Sequence, residues 1–316
     1  MRMELFEANR ILRTVKAALS ADGFKLPSSA ETDGLMMLLG KLDVDKYLAP
    51  KIKHARNLDR ASTAFERTYK LVCFFRALDA AKKDFSDPVT AMSVMMLHKS
   101  LCGDLDPDAG KPRATDVTTN GNAHTDPKYI SGSLKAIITK MNEIGSAPET
   151  ARDDFAGYIS HYMRELIILH PFERGSEFTV RMFLYLFAKL KGFSLLYYRL
   201  PASAIRAAED TAFAADDITP LYRLLVECLS YENKTTKPQH SAPRTRREMA
   251  KDLCRPPRRQ SDPTEKPQQK PDSGKKPAGL SDDEVLKRAV RLQQKISKLN
   301  EQLTELIQPL DTKETN

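Results

Sequence analysis

The residues best suited to chemistry lie in one short stretch, from His170 to Arg181, which reads HPFERGSEFTVR. Histidine titrates near neutral pH and can therefore act as a general base on a hydroxyl group. Gly175 and Ser176 come where a new apolar segment begins, and Ser176 is predicted as the N-cap of its helix. The free backbone N–H groups of a helix start attract anions such as phosphate. The stretch therefore predicts a proton-accepting loop beside an anion site.

Two apolar helices are predicted on either side of this loop. Apolar residues between Phe155 and Leu169 recur at steps of three and four, which is the spacing of one helix face. Residues 180–188 are apolar almost all round, as expected of a helix that is buried on most sides. The loop is therefore predicted to join two helices inside the core.

Most of the remaining sequence up to residue 232 also predicts helices. A serine beside Pro27, before an apolar run, is predicted to cap the second of them. Met92, Met95 and Met96 are expected to fill the core. The predicted helices cover residues 3–20, a segment that starts near 27, and residues 57–83, 88–101 and 130–141.

One short segment predicts strands instead. Val117–Thr119 and Asn122–His124 are separated by Asn120 and Gly121, the dipeptide that two-residue β-hairpins favour. Almost everything else in this part of the chain follows helical spacing. The predicted fold class is therefore all-α with one small β-hairpin.

Composition favours a globular protein inside the cell. Apolar residues make up 41% of the 316 residues, which is enough for a core. The four cysteines are far apart and form no CxxC pair, so they indicate neither a disulfide framework nor a zinc site. No apolar run reaches the roughly 18 residues that a membrane span needs. We therefore expect a cytoplasmic protein without a membrane span or a metal-binding cluster.

The positive charge is concentrated in one segment. Residues 233–279 hold 13 of the 50 Lys and Arg residues but only 5 of the 42 Asp and Glu residues, together with 8 of the 19 prolines. Their few apolar residues cannot offset the entropy lost on ordering, so a disordered linker is predicted. Its basic clusters could bind nucleic acid or another acidic surface, although a solvated linker is the preferred interpretation.

The C-terminal end carries a heptad pattern. Apolar residues alternate at steps of four and three between Val285 and Leu310, which is the seam of a short coiled coil. Ser281 and Glu284 predict a capping box at its start. A helix of this length is marginal alone, so residues 280–312 are expected to pair with a second copy of the chain or with a partner's helix. Docking on the body of the chain is the alternative.

The central stretch resembles the signature of Fic domains, HPFx[D/E]GNGRxxR. The segment Ala109–Arg113 resembles the AGxxR segment of that family, and the hairpin falls where Fic proteins carry a flap that aligns the target chain. The resemblance covers roughly residues 25–200 and is strongest over 92–193. It implies a Fic-type helical core over residues 86–232, preceded by an N-terminal helical region over 1–85.

The resemblance also implies a reaction and the roles of several residues. In that family the histidine takes a proton from a target hydroxyl, which attacks the α-phosphate of a nucleotide, usually ATP, so that AMP is transferred to a protein. His170 would be the base, and Phe172 would anchor the loop in the core. The implied phosphate-binding residues are Arg174, Gly175, Ser176 and Arg181, and the implied flap residues are Thr119, Asn120 and Gly121.

Four positions of the stretch depart from the family's pattern. Arg174 stands at the metal-holding carboxylate, Ser176 at the asparagine, Glu177 at the second glycine and Phe178 at the first arginine. Magnesium is therefore not expected to be held in the usual way, although Arg174 could supply a positive charge in its place. Glu177 brings a negative charge to the point where phosphate would approach. These changes together argue against ordinary AMP transfer.

A second feature of the family is an inhibitory helix with the pattern [S/T]xxxE[G/N]. The segment Ser29–Gly34 is similar, with Asp33 in place of the glutamate. By this resemblance Asp33 would reach Arg181 and block productive ATP binding. The alternative is an ordinary capped helix start that regulates nothing.

Two functions from different classes remain open. The first is an active Fic-like enzyme that moves a nucleotide, or another phosphate-containing group, onto a protein hydroxyl through His170. The second is a catalytically inactive Fic fold that binds a partner or itself through its coiled coil. Outside the central stretch, His98 is expected to be a structural residue. Arg113 could contact a substrate, although a position on a surface loop is the preferred interpretation.

Overall fold

The computed structural model describes residues 3–147 and 149–232. Within them the chain is mostly helical, with ten α-helices, one 3₁₀ turn and two sheets of two short strands each. The prediction of a helical fold with a small hairpin is therefore confirmed for this part of the chain. The predicted linker at 233–279 and the coiled-coil helix at 280–312 lie outside the described residues. Among the helices of the described part, none is long and apolar enough to cross a membrane.

The elements alternate between long helices and short connections. The helices are α1 (Leu5–Ser20), α2 (Ser28–Leu38), α3 (Val44–Ala55), α4 (Thr63–Ala81), α5 (Ala91–Cys102), α6 (Pro127–Met141), α7 (Arg152–Leu169), α8 (Ser176–Leu190), α9 (Ala202–Ala214) and α10 (Thr219–Cys228). The strands are β1 (Thr118–Thr119), β2 (Asn122–Ala123), β3 (Phe193–Leu195) and β4 (Leu229–Tyr231), and the 3₁₀ turn is Tyr197–Arg199.

Helix α8 lies in the middle of the core. Every residue from Phe178 to Ala188 is buried, which agrees with the apolar pattern predicted for residues 180–188. The helix packs against α1, α5, α7 and β3. Close packing on all these sides resists displacement, so the loop that precedes α8 is held at a fixed place in the fold.

The structure corrects three predictions for the first half of the chain. Helix α3 was missed, because Pro50 lies inside it and a proline usually interrupts a helical pattern. Helix α4 begins at Thr63 and not near residue 57, since the Ser62 hydroxyl accepts a hydrogen bond from the Phe65 N–H and caps it. Pro27 itself is the N-cap of α2, so the predicted serine cap is wrong.

The methionine cluster on α5 only partly fills the core. Met92 and Met96 are 57% and 54% exposed, whereas Met95 packs against the core. Because the side chains of one helix point in different directions, adjacent methionines cannot all reach the same core. The predicted role in packing is therefore corrected for Met92 and Met96.

A second two-stranded sheet closes the described part of the chain. Strand β3 pairs antiparallel with β4, with Phe193 opposite Tyr231. Its strands have three residues each, which is too short for a period-two pattern to stand out in the sequence. The sheet ties the segment after α8 to the end of α10.

Candidate functional site

His170 sits at the C-terminal end of α7, where the helix stops. It adopts the left-handed conformation with φ of 43°, and its N–H donates to the Leu166 carbonyl at 3.1 Å. Its side chain is only 8% exposed. A left-handed conformation is unfavourable for a residue with a Cβ, so surrounding contacts must hold it.

Arg113 supplies those contacts. Its Nε donates to the His170 carbonyl at 2.8 Å, and its guanidinium also donates to the carbonyls of Thr115, Thr125 and Leu169. The residue is 4% exposed, so the prediction of a surface arginine is wrong. A guanidinium has five donors in a fixed fork, which suits it to gather several carbonyls around one turn. Arg113 therefore fixes the backbone of His170.

The predicted hairpin lies beside His170. Asn120 and Gly121 both have positive φ, at 50° and 81°, as their tight turn requires. Thr119 pairs with Asn122, and its hydroxyl is 2.8 Å from His124 Nε2. The centre of the His124 ring is 4.4 Å from that of His170. His124 therefore connects the hairpin to His170.

The surroundings of His170 keep its imidazole neutral. Burial is the main cause that lowers its pKa to about 4, and the nearby His124 and Arg113 act in the same direction. Glu177 and Glu173 oppose this effect with their negative charges. A neutral imidazole is the form that can accept a proton. The pKa nevertheless lies well below the near-neutral value that the sequence suggests for a general base.

Helix α5 contacts the loop between α7 and α8 through His98. The His98 ring stacks on Phe172 with centres 3.8 Å apart, and Phe172 is fully buried. His98 Nε2 lies 2.9 Å from the Arg174 carbonyl, and His98 Nδ1 accepts from the Gly110 N–H at 2.8 Å. Both ring nitrogens are thus used by the backbone, which confirms that His98 is a structural residue.

Gly175, and not Ser176, is the N-cap of α8. Gly175 has φ of 66°, and a Cβ there would come 3.1 Å from Cys102 Sγ, so the position favours glycine. Ser176 is the first helical residue, which corrects its predicted capping role. Within the described residues, the buried Ser176 Oγ and His170 Nδ1 have no hydrogen-bond partner. Buried polar atoms without partners often mark a place where a ligand or water binds.

The side chain of Arg174 contacts helix α4. Its guanidinium lies 3.2 Å from the Glu66 carboxylate on α4 and 5.8 Å from the centre of the Phe65 ring. The side chain remains partly exposed, so this ion pair is weak and can exchange for another anion.

Arg181 is fully buried and makes four hydrogen bonds inside the core. It donates to both carboxylate oxygens of Glu209 at 2.7 and 2.6 Å, to Asp22 at 2.8 Å and to the Ala18 carbonyl at 2.9 Å. These acids raise the pKa of Arg181 despite its burial. Arg181 thus belongs to an internal ion cluster with Glu209 and Asp22, and its contact with phosphate stays a prediction.

The acid that meets Arg181 is not the predicted one. Asp33 accepts a hydrogen bond from the Tyr47 hydroxyl at 2.7 Å, and Ser29 is exposed on α2. Helix α1 packs against α8, whereas α2 packs against α1 and α4. The predicted contact between Asp33 and Arg181 is therefore wrong, and Asp22, directly after α1, takes that place.

Comparison with known sequences agrees with this geometry. The sequence model of the Fic/DOC family matches residues 88–188, a range that contains the hairpin, Arg113 and the loop from His170. Residues 88–188 are therefore similar to the Fic/DOC family. The matched region starts just before α5 and ends inside α8.

Several curated proteins are similar to this chain at low identity. The chain is 24% identical over 195 residues to "Probable protein adenylyltransferase Fic" of Salmonella typhimurium, which covers 60% of this chain and 95% of that protein. It is 23% identical over 168 residues to "Protein adenylyltransferase VbhT" of Bartonella schoenbuchensis, of which it spans 34%. It is 29% identical over 108 residues to "Protein adenylyltransferase fic-1" of Caenorhabditis elegans, of which it spans 20%.

Solved Fic structures also align with the chain. BepC of Bartonella tribocorum, solved with bound AMPPNP, aligns over 61% of this chain and 91% of its own, with 15% identity and a TM-score of 0.47. A structure of residues 134–508 of Fic-1 from C. elegans aligns over 72% of this chain and 64% of its own, with 17% identity and a TM-score of 0.48.

A cavity of about 800 Å³ opens beside the Fic loop, between α1, α4, α8 and α9. Arg174, Gly175 and Glu177 line it, and Lys70 and Arg206 add two cations. His170 is not among its lining residues, but Glu177, which lines the cavity, lies 3.8 Å from His170 Nδ1.

The motif position that holds magnesium in the family's pattern carries no carboxylate in this chain. Arg174 stands where the family's pattern has a carboxylate, and the adjacent Glu173 accepts a hydrogen bond from the Thr115 hydroxyl at 2.7 Å. Across the described residues, no group of three or more His, Cys, Asp and Glu side chains could hold a metal ion. At position 174 the carboxylate oxygens through which Mg²⁺ is usually bound are therefore absent.

Sequence reasoning missed three residues of this site. His124 could have been found from its place at the end of the predicted hairpin, and Arg113 from the AGxxR resemblance. Glu209 gave no signal, because it belongs to no motif and is 28 residues from Arg181 in the sequence, so that only the fold brings the two together.

Proposed function

We propose that this Fic-type protein modifies a protein target, with His170 as the base that accepts the proton of a target hydroxyl. The observation that carries the proposal is the position of the His170 imidazole beside the hairpin, with its ring centre 4.4 Å from that of His124. A neutral imidazole can take the proton, and an extended target segment can add to the hairpin as a further strand.

A nucleotide is the proposed source of the transferred group. The curated relatives carry adenylyltransferase names, so AMP from ATP is the first candidate. In that reaction the target oxygen forms a bond to the α-phosphorus, pyrophosphate leaves, and the hydroxyl proton passes to His170. The N–H groups at the start of α8 and the cations of the cavity, Arg174, Lys70 and Arg206, are proposed to bind the phosphates. No step is assigned to magnesium.

A catalytically inactive binding module is the second candidate. Two positions of the motif favour it. Phe178 replaces the first arginine of the motif and is buried, and Arg181 forms ion pairs with Glu209 and Asp22. Under this alternative, the heptad segment at 285–310 would bind a second copy of the chain or a partner's helix. The basic segment at 233–279 would bind an acidic surface or nucleic acid.

Incubation with α-labelled nucleoside triphosphates and a lysate of candidate targets distinguishes the two functions. The wild type is compared with His170→Ala and with His161→Ala, the same change on the same helix α7 but away from the loop. Labelling that is lost in the first variant and kept in the second supports the enzyme. If equilibrium binding detects no nucleotide on the wild type and no label appears, the enzyme proposal is rejected in favour of the binding module.

A further inference from the structure

Glu177 stands where the Fic pattern has its second glycine, and its carboxylate lies close to the ring of His170. Its Oε1 is 3.8 Å from Nδ1 of His170. The Glu177 side chain is 25% exposed, whereas Nδ1 is buried and has no hydrogen-bond partner in the described part of the chain. A buried nitrogen without a partner beside a carboxylate needs an explanation, because leaving it unpaired costs free energy.

Other charged groups near this pair do not compete for Nδ1. On α9, Arg206 lies 3.9 Å from Glu177 Oε1 but forms its closer ion pair with Asp210, at 3.1 Å. Arg113 faces the backbone of His170, and Glu173 accepts from Thr115. His124 uses its ring nitrogens on Thr119 and on the Ile167 carbonyl. Glu177 is therefore the acid that is available to the ring.

We propose that Glu177 is a positioning residue that accepts the hydrogen of Nδ1 and so leaves Nε2 of His170 to receive the target's proton. This inference rests on the proposed function for its catalytic meaning, although the contact itself does not. The two atoms need to approach by about 1 Å to reach hydrogen-bond distance, which rotation about the side-chain bonds of glutamate can supply. The proton then has one defined place on the ring, as an acid beside a histidine provides in catalytic triads.

An alternative explanation is that the carboxylate of Glu177 stabilises only the start of α8. An acidic residue in the first turn of α8 is favourable by itself, because the helix start is electropositive. That role requires nothing of His170. The two explanations therefore differ in what happens to the imidazole when the carboxylate is removed.

Nitrogen-15 NMR of the histidine side chains measures this directly on the full chain at pH 7. The His170 signals are assigned by comparison with His170→Asn. In the wild type we expect Nδ1 to carry the hydrogen. In Glu177→Gln this tautomer should fall, and in Glu177→Leu it should fall further. Glu173→Leu, which removes a neighbouring acid that binds Thr115, is the matched control and should leave the tautomer unchanged.

An unchanged His170 tautomer in Glu177→Leu overturns the proposal, provided that thermal unfolding shows the variant to be folded. Activity separates this outcome from the proposed function. If the wild type transfers a group, Glu177→Leu should lower kcat by about 10- to 100-fold, with little change in KM. If the wild type shows no transfer but the tautomer responds, the contact stands and the enzymatic proposal fails.

Discussion

At the scale of single residues, the decisive feature is a guanidinium without access to water. Arg181 is enclosed by α1, α8 and α9 and meets Glu209 through two hydrogen bonds and Asp22 through one. Such a pair gains little over an apolar replacement, but loss of one member leaves a buried charge that costs a great deal. Arg181 therefore stabilises the fold here, and phosphate would have to displace two acids to reach it.

This arrangement predicts an unequal response of two adjacent acids. Glu209→Gln should lower the free energy of unfolding by about 3–5 kcal/mol, because it leaves Arg181 short of a counter-charge. Asp210→Asn, the next residue, breaks only the partly exposed pair with Arg206 and should cost less than about 1 kcal/mol. Urea denaturation measures both. Similar losses in the two variants would contradict a structural role for the buried cluster.

His170 predicts a second effect, on the pH dependence of stability. Burial lowers its pKa from 6.5 to about 4, so between these values the unfolded chain binds more protons than the folded one. The contribution of His170 to the free energy of unfolding should therefore be fully present above pH 6.5. It should be lost as the pH drops towards 4, which lowers the free energy of unfolding by about 2–4 kcal/mol. Urea denaturation across this range compares the wild type with His170→Gln, which cannot titrate.

The comparison isolates His170, since the other histidines remain in both proteins. We expect the stability of His170→Gln to change less between pH 6.5 and 4 than that of the wild type. Parallel curves for the two proteins would mean that His170 keeps its ordinary pKa when folded.

At the scale of elements, the packing of α4 on α5 brings together two cysteines that are distant in sequence. Cys73 Sγ lies 3.7 Å from Cys102 Sγ, and Cys73 also lines the cavity beside the loop. Burial raises the pKa of Cys73, whereas the hydrogen bond from Cys73 lowers the pKa of Cys102. The Cys102 thiolate is thus the more available nucleophile of the pair.

Mild treatment with hydrogen peroxide should therefore join Cys73 to Cys102. The two thiols lose two hydrogens and the peroxide is reduced to two water molecules. Peptide mass spectrometry after blocking of free thiols measures the link. It should persist in Cys228→Ser, whose thiol is buried elsewhere, and disappear in Cys73→Ser. Equal linkage of Cys73 to Cys228 or Cys254 would contradict the contact seen here.

Elements with strong local signals were predictable from the sequence, and contacts between elements were not. Helix α8 and the hairpin follow from an apolar run and an Asn-Gly turn, which fix local structure by themselves. The Fic resemblance then placed His170 correctly at the junction of two helices. Arg113 and Arg181 were misjudged, because burial of a charged residue depends on partners that only the fold supplies.

At the scale of the whole molecule, the excess positive charge lies in one segment, and the rest of the chain is neutral. Residues 233–279 carry an excess of basic over acidic residues that equals the net charge of +8, so the rest of the chain is balanced. A balanced Fic-containing part gives no general attraction to acidic partners, whereas the basic segment would favour them. Partner binding is therefore expected to depend on residues that follow the Fic domain.

The heptad pattern makes this expectation testable through the mass of the protein in solution. If residues 285–310 pair with a second copy, a chain that ends at residue 279 should run as a monomer in size-exclusion chromatography with light scattering, and the full chain as an oligomer. Leu299→Asp places a charge on the apolar seam and should also give a monomer. Gln294→Asp, off the seam, is the matched control and should preserve the oligomer. An unchanged mass on truncation would reject self-association and leave a partner's helix or the body of the chain as the occupant of the seam, because such a short amphipathic helix is marginal alone.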